Sequence, residues 1–301
     1  MAQTPTVPQN PDEIRSLVRD AYGRLARQSS SCCGGRAAAE DAPASAGCCG
    51  PAAERPDART IASRIGYSEA ELDAVPDGAN LGLGCGNPGA LASLRKGEVV
   101  VDLGAGAGLD ALLAAQAVGP EGRVIGIDMT PEMLARARTN AVEAGVAGTV
   151  EFREGIIEDL PVVDGSADAL ISNCVINLSP DKPRVFREAF RVLKPGGRLA
   201  VSDIVLSAPL PEPVRELATA WVGCVAGAML ERDYLAAIEA AGFVEVRVTR
   251  SSLAPLVDSF RRDPIVQAAL AAIGEAAVAE AAASVWSVRV EAHKPAVARG
   301  A

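Results

Sequence analysis

Residues 98–110 read Glu98-Val99-Val100-Val101-Asp102-Leu103-Gly104-Ala105-Gly106-Ala107-Gly108-Leu109-Asp110. Three consecutive valines before a glycine predict a strand buried on both faces. LDALLAAQAVG (109–119) then predicts a helix. Glycines at a strand-to-helix turn let a ligand come close to the backbone. The dinucleotide fingerprint G-x-G-x-x-G would need its third glycine at Leu109; the spacing here is G-x-G-x-G.

Downstream, the same alternation repeats. RVIGID (123–128), TVEFREG (149–155), ADALISNCV (167–175) and RLAVSDIV (198–205) predict four more strands. A helix over 131–144 opens on Pro131, the favoured first helical position. KPRVFREAFRVLKPGG (182–197) predicts a helix stopped by Pro195-Gly196-Gly197. Five strands alternating with helices predict an α/β, doubly wound, mostly parallel sheet. GFVEVRVTR (242–250) and ASVWSVRVEAHK (283–294) alternate as a closing pair of strands, one of them antiparallel, with helical insertions near 212–240 and 254–283.

Upstream, Ile14, Leu17, Val18, Tyr22 and Leu25 recur at helical spacing over 11–28. Residues 29–58 are rich in Ser, Gly, Ala and Pro, carry two Cys pairs, and read as a mobile loop. Short helices follow at 60–66 and 68–74, the second with Ser68 and Glu71 spaced as a capping box. The expected organisation is an N-terminal helix and Cys-rich arm (1–58), an α/β core (59–206), and a helical insertion with closing strands (207–301).

Composition narrows the function. The 301 residues carry 29 Lys+Arg against 38 Asp+Glu, a net charge of −9, so a phosphate backbone is a poor partner and no nucleic acid is expected. No apolar run of about 18 residues suggests a membrane span, and the N-terminus lacks a signal-peptide pattern; a cytoplasmic protein is expected. Only one histidine, His293, is present, so histidine-based metal sites are excluded.

The acids suggest the ligand. Asp102 lies two residues before the first glycine, and Asp128 ends the second strand, where a carboxylate can accept hydrogen bonds from both ribose hydroxyls. Met129 offers a polarizable surface to a purine. Ile157 and Glu158 follow the third strand. No Lys or Arg stands in the glycine loop to pair with a pyrophosphate. An adenosine carrying a cationic sulfonium, S-adenosylmethionine, fits such a crevice. The candidate binding set is Asp102, Gly104, Ala105, Gly106, Asp128, Met129, Ile157, Glu158 and Asn173.

Seven cysteines, Cys32, Cys33, Cys48, Cys49, Cys85, Cys174 and Cys224, are an odd number for paired disulfides. A free cysteine is often just a small buried hydrophobe. Zinc is a rival, but C-x-x-C spacing is absent, and adjacent cysteines do not easily share one tetrahedral ion. A soft, thiophilic ion of low coordination number suits scattered thiolates better.

IASRIGYSEAELDAVPDGANLGLGCGNP (61–88), VVDLGAGAGLD (100–110), GIDMTPEMLARAR (126–138), SNCVINLSPDK (172–182), RVLKPGG (191–197) and WVGCVAGA (221–228) resemble the arsenite S-adenosylmethionine methyltransferases. The resemblance is nearly continuous over about 60–210 and loose after about 235. It implies a Rossmann-like class I methyltransferase fold. It also implies trivalent arsenic held by Cys85, Cys174 and Cys224, with Cys32, Cys33, Cys48 or Cys49 as a further or recycling thiol. Arsenite and methylated trivalent arsenicals would be the substrates, and glutathione or thioredoxin the reductant. Two other readings stand beside it: methylation of a small organic metabolite, and thiol-based sequestration of arsenic or zinc without turnover.

Overall fold

The computed structural model describes residues 7–28, 57–252 and 264–296. Cys32, Cys33, Cys48 and Cys49 lie outside the described residues. So does the first part of the expected 254–283 insertion.

Seven strands form one sheet in the order β3-β2-β1-β4-β5-β7-β6. They are β1 (Val99–Leu103), β2 (Arg123–Asp128), β3 (Val150–Glu154), β4 (Ala167–Asn173), β5 (Leu193–Leu206), β6 (Val244–Ser252) and β7 (Val285–His293). The first five run parallel; β7 pairs antiparallel with both β5 and β6. The chain winds outward from β1 to β3 and then returns to place β4 against β1. Strand order reverses there, and ligands bind beyond the carboxyl ends of strands at such a reversal.

The helices are α1 (Pro11–Gln28), α2 (Ala58–Arg64), α3 (Glu69–Asp73), α4 (Pro88–Ala92), α5 (Leu109–Val118), α6 (Pro131–Glu143), α7 (Lys182–Val192), α8 (Glu212–Arg215), α9 (Ala218–Val222), α10 (Glu231–Ala240) and α11 (Pro264–Ala283). Alternation along β1 explains the layers. Val101 and Leu103 join Phe186 of α7 and Tyr234 of α10 in one core cluster, whereas Val100 joins Leu112 of α5 and Leu134 of α6 in another. Burying each such side chain stabilises by roughly 1.5–3 kcal/mol. Ser68 and Glu71 form the reciprocal capping box at α3.

The stop of α7 differs from expectation. The helix ends at Val192, and Pro195-Gly196-Gly197 lie inside β5. Leu193 is fully buried and already extended (φ −71°, ψ 139°), so the core draws the chain into the sheet directly after the helix. Pairing with β4 then shifts register between Ala167 and Ala169.

Among the described residues one helix, within Val266–Ala283, is long and apolar enough by length and composition to cross a membrane. Gln267, Glu275 and Glu280 interrupt it, so it is not an uninterrupted apolar run. Gly274 (φ 78°, ψ 169°) breaks its helical path, and it packs on α8, α9 and β7.

Candidate active site

A cavity opens at the carboxyl ends of β1, β2 and β4. All nine residues expected to bind the donor line it, with Cys174 at one wall. Gly104 takes φ +65°, and a Cβ there would stand 2.3 Å from Val175 Cγ2, so the turn excludes any side chain. The charged residues lining the cavity are Asp102, Asp110, Asp128, Glu158 and Arg15. Arg15 comes from α1 and is engaged by Asp12 at 2.8 Å and Glu158 at 3.3 Å. Asp128 accepts the Gly106 N–H at 2.9 Å and the Thr130 N–H at 2.8 Å, which braces the glycine turn. Asp102 is buried, and its Oδ2 has no hydrogen-bond partner among the described residues. Burial, then the neighbouring Asp110 and Asp128 charges, push its carboxyl well above the usual range. Four acids against one paired arginine make a cradle for a cation without phosphates. The donor set therefore fits S-adenosylmethionine.

Asn173 ties this cavity to the Cys85 loop. Its amide donates to Asp110 Oδ2 (3.0 Å), Tyr67 OH (2.9 Å) and the Gly86 carbonyl (2.8 Å), and its Oδ1 accepts the Cys85 N–H (3.0 Å). Burial lifts Asp110 to about 6, against the downward pull of the Tyr67 and Asn173 hydrogen bonds. Donor affinity is expected to rise with pH through about 6 and then level off, because only the ionised carboxyl attracts a cation. Without donor the sign reverses. The folded value lies above the ordinary one of about 3.9, so the stability contribution is complete below that value and is lost as pH rises through the folded value. Isothermal titration across pH with wild type and Asp110→Asn checks this; an unchanged inflection in the variant would clear Asp110.

Cys85, Cys174 and Cys224 lie far apart in sequence but meet in one buried apolar cluster. The three cysteines come from the loop before α4, the end of β4 and the turn after α9. Cys174 (φ 57°) and Cys224 (φ 64°) both hold the left-handed conformation, which is uncommon outside glycine and concentrates at functional sites. The Cys174 N–H donates to the Ser202 carbonyl at 2.8 Å, and the Cys224 N–H to the Trp221 carbonyl at 2.9 Å. The Cys224 thiol donates to the Cys174 carbonyl at 2.8 Å. Gly84 and Gly86 flank Cys85 because a Cβ would collide with Asn173 at the first and Ser202 at the second. Burial raises the Cys85 thiol. At Cys174 the Cys224 contact lowers the value, but the Cys85 contact and burial outweigh it; at Cys224 the Cys174 contact and then burial raise it. All three thiols are therefore protonated at neutral pH.

This arrangement has relatives. A methyltransferase-domain family model matches residues 94–242. The crystal structure of an arsenic(III) S-adenosylmethionine methyltransferase from Chlamydomonas reinhardtii superposes with a TM-score of 0.56 at 30% identity, covering 83% of this chain and 76% of that one. The chain belongs to this arsenite methyltransferase family. A Halobacterium salinarum arsenite methyltransferase is 47% identical over 246 residues, 82% of this chain and 61% of that protein. The human arsenite methyltransferase is 38% identical over 162 residues, 51% of this chain and 43% of that protein. The chain thus spans about three-fifths of the halobacterial relative and under half of the human one.

Within this family fold, several site residues escaped the sequence reading. Asp110 and Tyr67 share a 2.6 Å hydrogen bond beside the cavity. Asp203 of β5 is fully buried, accepting from Asn177 Nδ2 and the Ile204 N–H at 2.8 Å and from Tyr234 OH at 3.1 Å. Lys182 donates to the Ser179 carbonyl at 2.9 Å and lies over the Trp221 ring. Burial lowers Lys182 to about 8 and raises Asp203 to about 7. A signal was available: RLAVSDIV puts an acid among the buried apolar residues of an interior strand, where an unpaired charge is expensive. His293, at the far end of β7, is not among the cavity residues.

Proposed function

We propose that this chain methylates trivalent arsenic held by Cys85, Cys174 and Cys224, using S-adenosylmethionine. The observation that carries the reading is the convergence of three distant cysteines beside a cavity lined by four acids. S-adenosylmethionine supplies an electrophilic methyl on a sulfonium that leaves as a neutral thioether. Asp102, Asp110, Asp128 and Glu158 give that cation an acidic surround, and the glycine turn admits it against the backbone.

The thiols do the rest. Each protonated thiol forms an As–S bond and gives its proton to a departing hydroxyl, which leaves as water. Three such exchanges load arsenous acid without a general base. The trithiolate keeps a lone pair on arsenic, so the acceptor needs no deprotonation, unlike many oxygen and nitrogen acceptors. Fixing the arsenic and aiming its lone pair lowers the barrier by several kcal/mol. Transfer oxidises arsenic from the trivalent to the pentavalent state. Two thiols return it by forming a disulfide, supplying two electrons, and glutathione or thioredoxin would restore them.

Incubation with arsenite, donor and thiol, followed by arsenic speciation, tests the reading. Methylated arsenic with stoichiometric donor consumption is expected; bound arsenic with no donor consumed would favour sequestration. The N-terminal cysteines give a finer expectation. Arsenite has three exchangeable ligands, so a further thiol beside Cys85, Cys174 and Cys224 can help it load, whereas monomethylarsenite has two and Cys174 with Cys224 suffices for it. Replacing Cys32, Cys33, Cys48 and Cys49 by Ser should impair arsenite methylation more than monomethylarsenite methylation in excess thiol. Equal loss on both would instead assign those cysteines to closing the site; no loss would leave them without a role.

A further inference from the structure

Arsenic held by three sulfurs carries a lone pair in its fourth position and has no use for an oxygen ligand. Yet a carboxylate oxygen of Asp203, Cys85 Sγ and Cys174 Sγ all lie within 4.8 Å of one another. Asp203 is also oriented. Asn177 Nδ2 and the Ile204 N–H both bond to Oδ1, whereas Tyr234 OH bonds to Oδ2. A carboxylate oxygen has two lone-pair directions, so Oδ2 keeps one free. Held ligating carboxylates are typical of metal sites, where a second layer of hydrogen bonds fixes them. The nearby cation, Lys182, spends a proton on the Ser179 carbonyl.

Two thiols and one carboxylate are the donor types of a borderline-soft, tetrahedral divalent ion. Sequence spacing argued against zinc because no C-x-x-C pair exists. The fold removes that objection by drawing one ligand each from the loop before α4, the end of β4 and the middle of β5. Cys224 touches Cys174 but is not one of these three mutually close ligands: its thiol donates to the Cys174 carbonyl.

We propose that Cys85, Cys174 and Asp203 form a binding site for a zinc-class divalent cation, which excludes arsenic by occupying two of its three thiols. It rests on the reading that these thiols form one accessible site. Binding replaces two thiol protons, which pass to solvent, with two metal–sulfur bonds and adds one metal–oxygen bond. The fourth position is left to an external ligand. Arsenic and the cation therefore share Cys85 and Cys174 but part company at the third ligand, Cys224 for arsenic and Asp203 for the cation.

That division gives the test. The full chain carrying Cys32→Ser, Cys33→Ser, Cys48→Ser and Cys49→Ser, reduced and oxygen-free, is titrated with Co²⁺ as a spectroscopic stand-in for Zn²⁺, and separately with arsenite. A thiolate-to-cobalt charge-transfer band saturating at one ion per chain is expected, and arsenite should abolish it. Adding Cys224→Ser should leave the cobalt band and remove arsenite binding. Adding Asp203→Asn should weaken cobalt roughly 10–100-fold or more while arsenite still binds. Arsenite binding also reports that the Asp203→Asn chain is folded. Zinc-edge X-ray absorption of the parent chain should show two sulfurs in the first shell and needs no further variant. Arsenite binding without a cobalt band, a cobalt affinity indifferent to Asp203→Asn, or three sulfurs around zinc would overturn the proposal. Failure of both arsenite and cobalt in the parent chain would overturn the shared-thiol reading beneath it as well.

Discussion

Cys174→Ser and Cys224→Ser are each expected to abolish methylation of both arsenite and monomethylarsenite, lowering turnover by roughly 10²-fold or more. The two residues cannot stand in for each other. Cys174 sits at the cavity wall, where a donor's methyl would be presented, and Cys224 reaches the cluster from the turn after α9. Serine is close in size but binds arsenic as a labile alkoxide rather than a thiolate, so even a well-folded variant loses its grip on the substrate. Folding should survive. A serine hydroxyl at 224 can keep the bond to the Cys174 carbonyl that the thiol now makes. An unpaired buried hydroxyl would cost about 1–3 kcal/mol. Thermal unfolding separates the two effects, and Trp221, three residues before Cys224, offers a fluorescence reading of arsenite binding. A Cys224→Ser chain with ordinary turnover would remove that residue from the arsenic site.

The sheet was legible in the sequence where burial is two-sided. The valines of β1 and the apolar runs of β2 and β4 have no alternative home, and the returning crossover follows from their alternation with helices. The end of α7 was less legible. Pro195 and Gly196 look like a helix stop, but Leu193 is drawn into the core first, and a core contact made across the sheet leaves no local mark. The residues expected to bind the donor could be placed on one cavity because they sit at strand ends, whose positions the sequence shows. The thiol cluster could not. Nothing local says that Cys85 and Cys174 share a space; β4 lying beside β5, and the Cys85 loop fastened by Asn173 and Ser287, bring them together. Resemblance supplied those cysteines where spacing was silent. Asp203 had neither aid, since its partners Asn177 and Tyr234 are 26 and 31 residues away.

Asp128→Ala should weaken donor binding while leaving arsenite binding nearly intact. A carboxylate at the end of β2 can accept from both ribose hydroxyls, and these charge-assisted bonds are together worth roughly 1.5–3 kcal/mol, or about 10–150-fold in affinity. The structure adds a second loss. Asp128 also holds the N–H groups of Gly106 and Thr130, so alanine releases the turn that must lie against the ligand. Asp128→Asn keeps one acceptor oxygen and should fall between wild type and alanine. Burial already pushes the Asp128 carboxyl upward despite those two backbone bonds, so the wild-type group favours any ligand that brings donors to it. The hydrogen bonds of Cys85, Cys174 and Cys224 run to Asn173, Ser287, Ser202, Trp221 and, within the cluster, the Cys174 carbonyl, none of them through Asp128, although Met129 and Tyr22 pack against the cluster. Separate calorimetric titrations of donor and arsenite read the two sites independently. Unchanged donor affinity would take Asp128 out of the donor site. A parallel loss of arsenite affinity would mean that the glycine turn and the thiol cluster move as one unit, coupled through Asn173 rather than merely adjacent.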